Sequence, residues 1–379
     1  MASSSYQAAH LASPRIEQHF SDLIAQAGAK GESGFAKAPS TGVIEEIINA
    51  AFWASLRKEE GHSPRISIAF LSPQQAEQPL LFGKTLPLTV SALTKLAPGI
   101  ERAGIHLGVW EQNGELFIWG TVLKIPNYCF VLDVSEPGLI VIKHRRLQGF
   151  GKYTNIAVLK GDEIKMLNKD CGRLQECPAL VTALLDIHAP CSFNDGVNVQ
   201  IQLAVSMRAH RHGALLLVVP PQSDDWKQSV VHPLQYPVYP SFDALHLLLT
   251  SDTAMHNDQF WQLSLRNEIE NIAGLTAIDG ATVMSSQHHL YAFGCKIVRK
   301  AKAETIEKVL FVEPVLGSKP TQKFIYELGG TRHLAAAQFI ADHPQALAMV
   351  ASQDGHFTIF NWSAQQQMVQ AYRIDSLLM

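Results

Sequence analysis

Ala214–Val219 is an unbroken apolar run with Gly213 before it, Pro220-Pro221 after it, and helical periodicity on either side. A strand without polar alternation has water on neither face, so this run demands a sheet covered on both sides, an α/β layer. Helices are expected over Pro178–Ile187 and Val197–His210 before it, the second through Val199, Leu203 and Met207. After it, Phe242–Thr250, Phe260–Ala273 and Thr331–His343 read as helices, and Thr276–Met284 and Leu290–Val298 as strands. Ala346–Ala351 and His356–Asn361 make a closing strand pair. Residues 220–240, with Pro233, Pro237 and Pro240 added to the first two prolines, read as an excursion.

The N-terminal half has a different rhythm. Residues 1–40 are rich in Ala, Ser and Gly and read as a partly mobile segment with a short amphipathic helix over Ile16–Ala27. Ile44, Ile47, Ile48, Ala51 and Phe52 set a helix over Val43–Lys58. In Arg65–Leu71, Ile66, Ile68 and Phe70 alternate as in a strand. Strands are then expected at Ile105–Trp110, Leu116–Leu123, Cys129–Val134, Leu139–Lys143 and Asn155–Leu159, with Asn113-Gly114 as a hairpin turn. Trp110, Phe117 and Trp119 read as core aromatics.

At 379 residues there is room for two domains. A formal net charge of −3 offers no basic face, so nucleic acid is not an expected partner. No apolar run is long enough to span a bilayer, and the start lacks the basic and apolar regions of a signal peptide, so no membrane and a cytoplasmic location are expected. Cys129, Cys171, Cys177, Cys191 and Cys295 form no CxxC pair and read as free thiols; His188 near Cys191 completes no zinc spacing.

Two short strings carry the chemistry. Ile278-Asp279-Gly280-Ala281 puts a carboxylate on a tight turn, where it can hold a metal. Some fifty residues later, Gly329-Gly330-Thr331-Arg332-His333-Leu334 puts a hydroxyl, a guanidinium and an imidazole where a helix begins, a place suited to phosphate. Thr331 reads as the N-cap of that helix. Arg332 is a cation at a helix N-terminus, a position that makes best sense with an anion present. His288-His289 reads as an exposed turn rather than a metal ligand. Arg208, His210, Arg211 and His212 suit a helix C-terminus, and Asp195-Gly196 a helix cap.

Together with Arg211-His212-Gly213-Ala214, Ala292-Phe293-Gly294-Cys295 and Ala351-Ser352-Gln353-Asp354-Gly355, these strings resemble, in order, the DAC (diadenylate cyclase) domain across about Ser206–Phe360. The resemblance implies an α+β, β-rich N-terminal module (residues 41–170) followed by an α/β DAC-like domain (175–379) with a central mixed sheet flanked by helices. In that family two domains face each other, each holding one ATP, and make cyclic di-AMP and pyrophosphate. Asp279, Gly280, Ala281, Thr331, Arg332, His333 and Ser352 are then the implied nucleotide contacts. Asp279 is the implied catalytic residue and ligand of Mg²⁺ or Mn²⁺, and a homodimer the implied assembly.

Two departures matter. Leu334 stands where the family's phosphate motif continues with arginine, and Gln353 where its last loop has glutamate; Asp354 is next in line. Lys300–Lys323 is also long, and would reshape the dimer face or cover the site. Residues 40–170, through Gly108-Val109-Trp110 and Phe117-Ile118-Trp119-Gly120, are similar to a sensor subgroup in which a DAC-like domain trails a β-rich module. The expectation is a sensor of ATP or a cyclic dinucleotide; the alternatives are an active cyclase and a scaffold with a relic site.

Overall fold

The apolar periodicities resolve into two compact units, Met1–Leu167 with Met379, and Asn168–Leu378. The computed structural model describes residues 5–102, 104–146, 153–174, 176–185, 196–251 and 258–379. Among them are eight α-helices and two large mixed sheets, an α+β architecture in which the second unit is an α/β layer.

In the first unit, α1 (Gln7–Ala29) and α2 (Thr41–Ser55) pack together, and Ile16, Phe20, Ile44, Ile47 and Ile48 are fully buried. The helix Gln7–Ala29 thus runs well beyond the short Ile16–Ala27 helix expected within a partly mobile segment. Small residues such as Ala9, Ala12 and Ser13 let α1 lie close, so a stretch that looks weakly apolar still packs completely. Glu17 ties the two helices by accepting hydrogen bonds from the Thr41 amide, at 3.0 Å, and from its hydroxyl.

The sheet beneath contains β1 (Ile66–Phe70), β2 (Leu80–Pro87), β3 (His106–Gln112), β4 (Glu115–Val122), β5 (Phe130–Glu136), β6 (Leu139–Arg145), β7 (Tyr153–Lys160) and β8 (Glu163–Met166). Their order is β2-β4-β3-β1-β5-β6-β7-β8, with only β1 and β3 parallel. Asn113 and Gly114 both have positive φ at the β3–β4 turn, as the expected hairpin requires. A further helix, α3 (Val90–Leu96), joins the core through Leu93.

The second unit starts with α4 (Ala179–Leu184) and α5 (Gly196–Ala209), which lead to β9 (Ala214–Val219). All six residues of β9 are buried, as an unbroken apolar run requires. There follow β10 (Tyr236–Phe242), α6 (Ala244–Thr250), α7 (Gln259–Leu275), β11 (Ala281–Ser285), β12 (Leu290–Cys295), β13 (Lys308–Val312), β14 (Thr321–Phe324), α8 (Thr331–Asp342), β15 (Leu347–Ala351), β16 (Phe357–Ser363) and β17 (Met368–Arg373). The order is β10-β12-β11-β9-β15-β16-β17-β13-β14. Leu215, Leu217, Val283, Val350 and Phe360 share a core with Ala336, Ala337, Phe339 and Ile340 of α8. Leu216, Val218 and Met349 alternate with these and are buried on the opposite face.

Three differences from the sequence reading follow from edge positions. The proline-rich excursion contains β10, an edge strand, where proline costs no ladder bond on its free side. The long segment Lys300–Lys323 supplies the hairpin β13–β14 at the opposite edge of the sheet. The pair β15–β16 does not close the sheet, because β17 continues it. Asp195, Cys191 and His188 lie outside the described residues, so the cap and thiol readings there have no structural counterpart; Cys129, Cys171, Cys177 and Cys295 are free.

Candidate functional site

Register brings the two chemical strings to one end of the second sheet. β9 and β11 run parallel and begin there, while β15 runs antiparallel beside β9 and ends there, with Ala351 opposite Ala214. The residues just outside these ends are Gly213, Asp279-Gly280 and Ser352, and α8 starts at the same place. A cavity of about 210 Å³ opens between them, lined by Gly330, Thr331, Arg332, His333 and Val350 and by the loop Ala351–Asp354.

At the start of α8 the structure corrects the capping expectation. Gly330 is the N-cap, no side chain caps the helix, and Thr331 is its first residue, exposed at the cavity. The Thr331 hydroxyl is thereby left for a ligand, beside first-turn amides that an anion suits. Arg332 turns back across Gly213: a Cβ on that glycine would stand 2.3 Å from Nη1. Its Nη2 lies 4.0 Å from Asp279 Oδ1, and its buried Nε has no hydrogen-bond partner among the described residues. This leaves guanidinium hydrogens available beside the cavity.

His333 is only 4% exposed, and its ring lies over Gly329, where a Cβ would come 2.4 Å from Nδ1. Burial, then Arg373 and His356, push its pKa down to about 4, so it is neutral at pH 7. Its Nε2 lies 3.5 Å from Thr358 Oγ1, so the residue packs the cavity wall as much as it faces the cavity. Leu334, next along α8, is 44% exposed and does not line the cavity.

Asp279 is 89% exposed and is not a lining residue of the cavity; it meets the cavity through Arg332. Gly280 has φ +109°, and a Cβ there would come 2.5 Å from the carbonyl carbon of Gly294. This glycine is therefore required by packing on β12, a reason that needs no nucleotide. Ala281 is fully buried and its side chain belongs to the core. Among the described residues no group of three or more His, Cys, Asp or Glu is placed to hold a metal ion. A Mg²⁺ or Mn²⁺ at Asp279 would fit only with phosphate and water as its other ligands, the habit of Mg²⁺ beside nucleotides.

Ser352 accepts a hydrogen bond from the Asp354 amide at 3.2 Å, and both Gln353 and Asp354 face the cavity. Two arginines that the motifs do not include hold the cavity walls. Arg208 donates from Nε to Gly355 O at 3.2 Å and from Nη1 to Leu378 O at 3.1 Å, anchoring the Ser352 loop. Arg373 donates from Nη2 to Leu328 O at 2.9 Å, anchoring the turn into α8. Arg208 reads in sequence as a cation suited to a helix end, and only its long-range acceptors reveal the second role.

The first unit carries its own polar constellation, across β1, β3, β5, β6 and β7. Ser67 donates to Asp133 Oδ1 at 2.5 Å, so His106 Nδ1, 2.6 Å from the same Oγ, must be the donor to it. His106 Nε2 then accepts from the Tyr153 hydroxyl at 2.7 Å. Lys143 pairs with Asp133 and stands 4.4 Å from the Tyr153 ring centre, and burial raises the Tyr153 pKa, which keeps the phenol a donor.

Trp119 donates from Nε1 to Leu71 O at 2.9 Å and lies across Gly108, where a Cβ would stand 2.1 Å from the indole. This contact ties together the two aromatic strings of the module. Residues 33–123 match the family model described as Probable sensor domain DACNV. The match takes in α2, α3 and β1–β4, together with Ser67 and His106, and it fits a sensor role. No curated protein matches the chain. No helix among the described residues is long and apolar enough to cross a membrane.

Proposed function

We propose that the chain is a signalling sensor whose second unit binds an adenine nucleotide, ATP or a cyclic dinucleotide, at the start of α8. The carrying observation is the convergence of Thr331, Arg332 and the Ser352 loop on one cavity at a helix N-terminus with no side-chain cap. An unclaimed hydroxyl, the Thr331 and Arg332 amides and a guanidinium are what phosphate oxygens take as partners. The DACNV match over residues 33–123 supports a sensing role in the same chain. Leu334 and Gln353 favour binding over turnover, because each replaces a charge that the related cyclases use.

A second reading, an active diadenylate cyclase, is favoured by Asp279 standing 4.0 Å from Arg332 at the cavity's edge. In it Asp279 would be the protein ligand of Mg²⁺ or Mn²⁺, the ion would neutralise phosphate charge, and two such domains would face each other as a homodimer. Isothermal titration of the full chain with ATP and with cyclic di-AMP, alongside a product assay with each metal, tests both. The sensor reading expects saturable binding, with stabilisation of about 2.7 kcal/mol at a hundredfold excess over Kd, and little or no product. Abundant cyclic di-AMP establishes the cyclase instead, and no binding of either nucleotide refutes both.

A further inference from the structure

A second cavity, also of about 210 Å³, opens at the other end of the second sheet, beyond the carboxyl end of β9 at Val219. In open α/β sheets, ligands settle outside the carboxyl ends of the parallel strands. The proline-rich excursion after β9 supplies Asp225 and Trp226, and the start of the Lys300–Lys323 segment supplies Lys300. Backbone bonds tie these segments together: Val231 N donates to Lys296 O at 2.9 Å, and Val298 N to Ser229 O at 3.0 Å. The C-terminus of α8, with Asp342 and His343, completes the lining.

The charges on this lining are not equivalent. Asp342 already takes three donors: Gln338 Nε2 on Oδ1 at 3.0 Å, and on Oδ2 the Lys300 amide at 2.8 Å and Ser229 Oγ at 3.4 Å. These bonds fix the Lys300 backbone at the end of α8 but leave its ammonium without an ion pair among the described residues. The exposed Asp225 carboxylate has none either, so two opposite charges line one cavity and do not meet. Trp226 is only 4% exposed and lines the same cavity. Its buried indole N–H has no acceptor among the described residues, and a ligand oxygen would supply one.

A simple anion would leave Asp225 opposed, and a simple cation would leave Lys300 opposed. A molecule carrying both charges satisfies both. The C-terminus of α8 adds a partial negative charge that a cationic group suits, the reverse of the cavity at its start. We infer that this cavity binds a small zwitterion of the α-amino acid class, its carboxylate held by Lys300 and its ammonium by Asp225. The volume lies below the roughly 300 Å³ at which sites for drug-sized ligands begin, so a small metabolite fits. The two cavities stand at opposite ends of a helix of 12 residues, about 18 Å long, so this site is separate from the first.

Isothermal titration of the full chain with each standard L-α-amino acid tests the site, with the matching amine and the matching carboxylic acid of any binder as controls. Saturable binding of at least one amino acid is expected, and weaker binding of both singly charged analogues. Lys300→Gln and Asp225→Asn should each lower the affinity about 10- to 100-fold, the loss of one charged hydrogen-bond partner. Melting curves taken without ligand separate a lost contact from a lost fold, and Thr331→Ala, at the other end of α8, should bind as wild type does. Absence of binding by every amino acid, equal binding of a singly charged analogue, or full affinity in both charge variants overturns the assignment.

Discussion

The guanidinium of Arg332 rests on Gly213, so closely that a single methyl at the glycine would stand 2.3 Å from Nη1. The two residues come from strings more than a hundred positions apart, and the absence of a side chain in one makes room for the charge of the other. Gly213→Ala should displace the arginine while leaving the fold intact, because the obstructing atoms are the far end of a flexible side chain. Losing a charged hydrogen-bond partner costs about 1.5–3 kcal/mol, so ATP affinity by titration calorimetry should fall about 10- to 100-fold. Unchanged affinity would show that Arg332 does not grip the ligand.

Gly280 should behave differently. Its φ of +109° and its backbone contact with Gly294 leave nothing that can move aside. Gly280→Ala is expected to cost about 2–4 kcal/mol in urea denaturation, from backbone strain and overpacking together. Gly330→Ala, with no atom within 4 Å of the added carbon, is the comparison and should cost no more than the roughly 1 kcal/mol that alanine costs at an N-cap.

His333 predicts a pH dependence. Its pKa falls from 6.5 to about 4 on folding, so between those values the unfolded chain binds more protons. Stability from this group is complete above pH 6.5 and is lost as the pH drops toward 4. The full effect is on the order of 3 kcal/mol. Urea midpoints measured at pH 7.0, 5.5 and 4.5 should converge between wild type and His333→Gln as the pH falls; parallel curves would contradict the buried neutral imidazole.

In the first unit, Ser67→Ala removes the hydroxyl that links His106 to Asp133. The variant loses both hydrogen bonds of a buried network, at a cost of about 1–3 kcal/mol. A thermal melt of the variant should shift downward, and an unshifted melt would mean that the network contributes nothing to folding.

Much of the layer structure was legible because it rests on local pattern. The unbroken run of β9 implied a strand covered on both faces, and Asn113-Gly114 implied its hairpin. The helix Gln7–Ala29 shows the limit at the N-terminus, since it is held by small residues whose burial depends on a partner surface. β10 was hidden by prolines that only an edge position tolerates, and β13–β14 by a polar composition that an edge hairpin permits.

The candidate site divides along the same line. Residue types marked Asp279, Thr331, Arg332 and His333 as candidates, and Ser352 entered only through the resemblance to the DAC domain. Which atoms face the cavity was decided by tertiary structure: Gly330 takes the cap and leaves Thr331 exposed, His333 turns into the core, and Asp279 stays at the rim. Arg208, Arg373 and Gly213 joined the site only when distant backbone came within hydrogen-bonding or contact distance of them. Periodicity and turn chemistry act over a few residues and can be read in one dimension. Burial, register and long-range hydrogen bonds are properties of pairs of segments, and they exist only once the segments have met.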